Sequence, residues 1–284
     1  MPTIREQALA GQPLDCFVLD AHTHLGGYYK KGWFQPPTLA DTAHTLSLTA
    51  RFGTDCLITA PHPLIFGDME MANAAGALAA EKNPGVIYCY LIVCPQQGLA
   101  SLKKQLKKYA DCPFFVGLKF LGGYHGSYSQ KEYQYALDFA EERSCPVLCH
   151  TWGNDPPWEE FAEILRNYHR LSLIAAHLGG GSKEMAIRFS SLIQDYPNFY
   201  MDICGQIENE LSDEDAVHLI GASRLIYGTD LINLNPCIDF GRLAFSNLPD
   251  KEKQMIFGEN FLTLQKKSSM GKVLVPRQYQ IKGD

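Results

Sequence analysis

Short apolar runs, each broken by a polar or glycine-rich turn and followed by a stretch with helical spacing, recur along the whole chain. After an irregular leader (1–15), the first run ends Leu19-Asp20-Ala21-His22-Thr23-His24 and breaks into Gly26-Gly27. A loop follows, and the pattern predicts a helix over 38–52 and a strand over 55–60, stopped by Pro61-His62-Pro63. Asp68 is placed to cap a helix running to 83. The β-branched and aromatic run 86–93 predicts a third strand, the amphipathic stretch 99–110 a helix, and the apolar run 114–120 a fourth strand ending at Gly122-Gly123.

The second half repeats the theme. Strands are predicted at 146–150, ending in His150, and at 173–177, ending in His177 before Gly179-Gly180-Gly181; helices are predicted at 158–168 and after a Ser182 cap. Runs at 199–203 and 225–227, the latter leading into Gly228-Thr229-Asp230, flank a helix over 212–220. Eight alternations in 284 residues predict a parallel sheet with right-handed crossovers, closed as a (β/α)8 barrel. The chain reads as one domain, 1–284, with 263–284 as a C-terminal extension.

Closure changes the meaning of the polar strand ends. Side chains two apart on a strand share a face, so Asp20, His22 and His24 are expected to point one way. The carboxyl-terminal rim of a barrel gathers strand ends from the whole sequence, which brings His22, His24, His150, His177 and Asp230 together. The nitrogen and carboxylate set His22, His24, His150 and Asp230 suits Zn²⁺, and Mn²⁺ or Fe²⁺ are also compatible. Asp20, one step deeper, is expected to orient a ligand. If His150 faces inward, Cys149 turns outward. Loop residues Tyr28, Tyr29, Trp33, His62, His125, Trp152 and Asn154 are candidates for contacting substrate, with Tyr28, His62, Trp152 and Asn154 foremost. Asp202 is placed to face the site, although no motif marks it.

A net charge of -6 argues against nucleic acid or an anionic membrane as partner and leaves a small-molecule substrate, with self-association open. No apolar run approaches the roughly 20 residues that cross a bilayer, and residues 1–14 lack a signal-peptide core, so a cytoplasmic protein is expected. The nine cysteines are odd in number and form no Cys-x-x-Cys, which reads as reduced thiols that pack as small hydrophobes.

Asp20-Ala21-His22-Thr23-His24, the later His150, His177 in Ala176-His177-Leu178-Gly179-Gly180-Gly181, and Gly228-Thr229-Asp230 resemble the amidohydrolase superfamily, most closely its amidohydrolase-2 branch. Ile256-Phe257-Gly258-Glu259-Asn260 is similar to the start of that branch's C-terminal helix. The resemblance implies a divalent cation activating water, Asp230 as ligand and base, and His177 as catalytic acid or base or, with two metals, as a further ligand. It also singles out Lys119, which some amidohydrolases carry as a CO₂-carboxylated bridge between two ions; an unmodified ammonium would instead pair with Asp20 or a substrate carboxylate. One Zn²⁺ is expected, a second only with a carboxylated Lys119. The compact chain is similar to lactonase-like members, which implies hydrolysis of a lactone, amide or ester bond in a small carboxylated substrate. Nonoxidative decarboxylation of an aromatic or muconate-type acid is the alternative. A catalytically inactive, ligand-binding barrel is the third reading, and no member of the ligand set is missing to favour it.

Overall fold

Eight strands alternate with helices as the apolar runs predict: β1 (Leu19–Thr23), β2 (Cys56–Thr59), β3 (Ile87–Ile92), β4 (Phe115–Phe120), β5 (Pro146–Cys149), β6 (Ser172–Ala175), β7 (Phe199–Asp202) and β8 (Leu225–Ile226). The structure, a computed structural model, describes residues 2–26, 37–65, 67–152, 158–205 and 211–274. The strands are parallel and follow one another in chain order around the sheet. A seam between β8 and β1 closes the circle: Ala21 N donates to Tyr227 O at 3.0 Å, Asp230 N to His22 O at 2.8 Å, and Thr23 bridges Leu231. This is the (β/α)8 barrel, and no helix among the described residues is long and apolar enough to cross a membrane.

Two apolar layers hold it. Inside the barrel, Leu19, Ala21, Ile58, Tyr90, Leu148, Ile174 and Ile226 pack together. Outside, residues such as Leu118, Cys149, Phe161, Phe189 and Phe199 pack between strands and helices, so Cys149 does turn outward. Burying a side chain of this size stabilises by about 1.5–3 kcal/mol. The strands approach closely where side chains are absent: a Cβ on Gly117 would lie 2.6 Å from Pro146 O across β4 and β5.

Helix Met69–Lys82 starts at an Asp68 cap and helix Lys183–Asp195 at a Ser182 cap, each cap accepting from the backbone three residues on. Two boundaries differ from expectation. The leader is not irregular: Ile4–Leu9 forms a helix, because Thr3 and Glu6 close a capping box and Ile4 is buried, with its amide donating to Asp250. Nor is the described part of the C-terminal stretch, 263–274, a mere extension. Helix Asn260–Lys266 runs into it, and Phe261, Leu264 and Val273 plug the end of the barrel where the strands begin. Asn260, the last residue of the run Ile256-Phe257-Gly258-Glu259-Asn260, donates to the carbonyls of Ala222 and Leu225, both at 2.7 Å.

Candidate metal centre at the barrel mouth

The first histidine pair reaches the mouth by way of a bulge. Between Asp20 and Thr23, β1 advances three residues while β2 advances from Leu57 to Thr59. The extra residue breaks strict alternation, so Leu19 and Ala21 face the barrel interior, and His22 and His24 still turn to the site. Asp20 is therefore not aligned with them as the spacing suggested. Its carboxylate accepts from Thr229 Oγ1 at 2.6 Å, Thr229 N at 3.1 Å and His22 N at 3.3 Å. Burial pushes it up to about 7 despite those donors.

Each imidazole is fixed by a bond on one nitrogen. His22 Nδ1 lies 2.9 Å from Asp202 Oδ2, and His22 Nε2 accepts from Lys119 Nζ at 2.8 Å. Lys119 is fully buried, and burial lowers its pKa. Its partner is thus His22, not Asp20. His24 Nδ1 donates to Ala60 O at 2.6 Å, so that the neutral form of this ring carries its lone pair on Nε2. That Nε2 stands 2.9 Å from Asp230 Oδ1, which is 3.9 Å from His22 Nε2. Two acceptors this close require a proton or a cation between them. The donor atoms of His22, His24 and Asp230 all lie within 4.8 Å of one another, which fits one ion at the roughly 2.0–2.2 Å of Zn–N and Zn–O bonds.

Asp230 is held from both sides. Burial alone would raise its pKa, but the bond with His24 and the neighbouring His24, His22 and His177 rings outweigh it and hold the carboxyl well below its usual value. Its Oδ1 also accepts from Asn233 Nδ2 at 3.0 Å. Its backbone is left-handed, φ 53°, as is that of His177 at 54°. Non-glycine residues persist there only when neighbours over-determine them. Here Asp20 holds Thr229 beside Asp230, and Asp202 Oδ1 accepts from His177 N at 2.8 Å.

The remaining candidates divide. His177 is buried, its ring 5.1 Å from that of His22 and 4.8 Å from that of Trp152. His150 follows β5 and stands edge-on to His177 at 5.1 Å, but it falls outside the compact group of His22, His24 and Asp230. Tyr124, which the sequence reading did not single out, leans on the His150 ring at 5.4 Å. His62 does not line the opening as expected. It is fully buried, stacked 5.3 Å from His24, and its Nε2 is 2.8 Å from Asn233 Oδ1, so it works behind His24 and Asp230. Tyr28, Tyr29, Trp33 and Asn154 lie outside the described residues.

Cys204 corrects the reading of all nine cysteines as packing groups. Its Sγ lies 3.2 Å from both His22 Nδ1 and His177 Nδ1 and 3.0 Å from Asp202 Oδ1. Burial, then Asp202, pushes the thiol well above its usual pKa.

Acid should loosen this site. Burial holds His177 and His62 near 4, against 6.5 in an unfolded chain. The unfolded state binds those protons first, so the stability they carry is complete above about pH 6.5 and lost as pH falls toward 4. Urea midpoints measured on the metal-free protein should decline across that window, and a flat profile would show that these rings are not buried neutral.

A barrel with imidazoles and a carboxylate gathered where its strands end defines a class of cation-binding α/β barrels. An amidohydrolase family model, Amidohydro_2, matches residues 19–260, and the chain belongs to that family. No curated protein matches the sequence. Among solved structures, 2,6-dihydroxybenzoate decarboxylase from Rhizobium superposes with a TM-score of 0.64 at 18% identity, covering 88% of this chain and 99% of that one. A dihydroxybenzoic acid decarboxylase from Polaromonas sp. JS666, with bound manganese and 2-nitroresorcinol, gives 0.60 at 16% identity, covering 88% and 97%. A 4-oxalomesaconate hydratase from Rhodopseudomonas palustris gives 0.62 at 14%, covering 88% and 96%. At these identities the likeness is one of fold.

Proposed function

We propose that the protein is a divalent-cation-dependent hydrolase acting on a lactone, amide or ester bond of a small carboxylated substrate. The observation that carries this is the facing of His24 Nε2 and Asp230 Oδ1, two acceptors 2.9 Å apart with His22 Nε2 alongside. Zn²⁺, or Mn²⁺ or Fe²⁺, held there would supply Lewis acidity that brings the ionisation of water near neutral pH. His22, His24 and Asp230 would hold the ion, with His150 as the expected fourth donor. Asp230 accepts a proton from water and returns it to the leaving group, the work of a positioned carboxylate. His177, buried and neutral, is the second proton-transfer group beside the substrate, as acid or base.

His22 Nε2 now accepts from Lys119 Nζ at 2.8 Å, a bond that this nitrogen would give up in order to hold a cation. The Lys119 ammonium would then be available to a substrate carboxylate. Carboxylated by CO₂, Lys119 would be a donor for a second ion, and His177 would be a further one. Trp152, half-buried against His177, offers a flat wall to the substrate.

That same wall favours a second reading, nonoxidative decarboxylation of an aromatic acid, the chemistry in the names of two of the structural neighbours. The test is product analysis with zinc- and manganese-loaded protein against a panel of lactones, esters, amides and hydroxybenzoates. Hydrolysis without CO₂ supports the first reading, and CO₂ release moves the assignment to the second. Tight ligand binding with no turnover by any metal form would overturn both in favour of a binding barrel.

A further inference from the structure

We propose that Cys204 is a positioning residue that, with Asp202, fixes His177 as the tautomer protonated on Nδ1, leaving the lone pair on Nε2. The assignment follows from counting protons. Asp202 Oδ1 receives the backbone amides of His177 at 2.8 Å and Cys204 at 3.3 Å, and amides only donate, so Oδ1 is an acceptor. Cys204 Sγ lies 3.0 Å from that oxygen, a separation that two acceptors do not adopt without a proton between them. The thiol proton is the one in place. Sulfur therefore turns only lone pairs toward the ring nitrogen of His177 at 3.2 Å, and that nitrogen must supply the hydrogen. His22 Nδ1, also 3.2 Å from Sγ, sends its proton to the other oxygen of Asp202 at 2.9 Å, so the count closes.

The backbone enforces the contact. Gly205 has φ 76°, and a Cβ there would lie 2.8 Å from His177 Nδ1 and 2.8 Å from the Trp152 ring. The turn after β7 is thus pressed against one edge of the imidazole. Which nitrogen of a neutral histidine carries the proton is set by the bond its other nitrogen makes, and here the sulfur chooses. Among the described residues, Cys204 is the one cysteine in a compact donor group.

The value of this tautomer to turnover rests on the reading under Proposed function; the tautomer itself does not. The test is a long-range proton–nitrogen correlation spectrum of zinc-loaded, ¹⁵N-histidine-labelled protein, with the His177 signal identified by its loss in His177→Asn. The wild type should show His177 protonated on Nδ1. Cys204→Ala should shift the ring toward the Nε2-protonated form, and Cys204→Ser, which keeps an acceptor and a donor, should restore it. On a turned-over substrate, kcat should fall about tenfold to a hundredfold in the alanine variant, with KM held and serine rescuing, the range seen when a partner orienting a functional imidazole is lost. A wild-type His177 protonated on Nε2 overturns the proposal whether or not the variants fold, as does an unchanged ring in Cys204→Ala. An Nδ1-protonated ring in a protein that turns nothing over would uphold the tautomer and sink the functional reading instead.

Discussion

Asp230→Asn should abolish turnover, by about 10²–10⁴-fold or more, and leave the barrel folded. The fold survives because asparagine is among the few residues that tolerate left-handed backbone, and position 230 sits at φ 53°. An amide oxygen can still accept from Asn233. What disappears is the charge. The Asp230 carboxylate is held well below its usual pKa by the surrounding imidazoles, and a neutral amide neither balances a divalent cation nor takes a proton from water. Circular dichroism, metal content and kcat measured together separate these effects. A folded variant with half the wild-type rate would remove Asp230 from the chemistry.

Chelation should remove activity altogether and lower the melting temperature. A cation present at 100 times its dissociation constant stabilises the state that binds it by about 2.7 kcal/mol. At roughly 2–4 °C per kcal/mol for a chain near this size, the midpoint should fall by about 5–10 °C after dialysis against a chelator. Zn²⁺, Mn²⁺ or Fe²⁺ should restore both midpoint and rate, and the ion restoring most activity identifies the working metal. Unchanged melting and turnover in chelator would mean that the apposed His24 and Asp230 are joined by a proton, with no metal in the mechanism.

Much of this arrangement could be read from letters because strand ends are short and local. His22 and His24 are two apart, and Gly228-Thr229-Asp230 closes a strand, so alternation and barrel closure sufficed to bring them together. What misled was a single inserted residue: the β1 bulge turned Asp20 toward Thr229, and no composition signal marks a bulge. Asp202 was noticed but carried no motif, and its importance comes from a contact with His22 across 180 positions. Cys204 was grouped with eight thiols that pack as hydrophobes, because neighbours in space do not show in a linear string. His62 was assigned to the opening by its place after β2, and only tertiary packing reveals that it backs His24. The leader failed differently, since a six-residue helix has too few turns for periodicity and depends on its cap and on Asp250.

The seam where the first and last strands meet is also the foundation of the proposed cation site. Asp20 ties His22's amide to that of Thr229, which sets His22 and Asp230, two of the proposed donors, side by side. Ring closure and assembly of the proposed site are therefore linked: a molecule whose cylinder has opened along this line has pulled His22 and Asp230 apart.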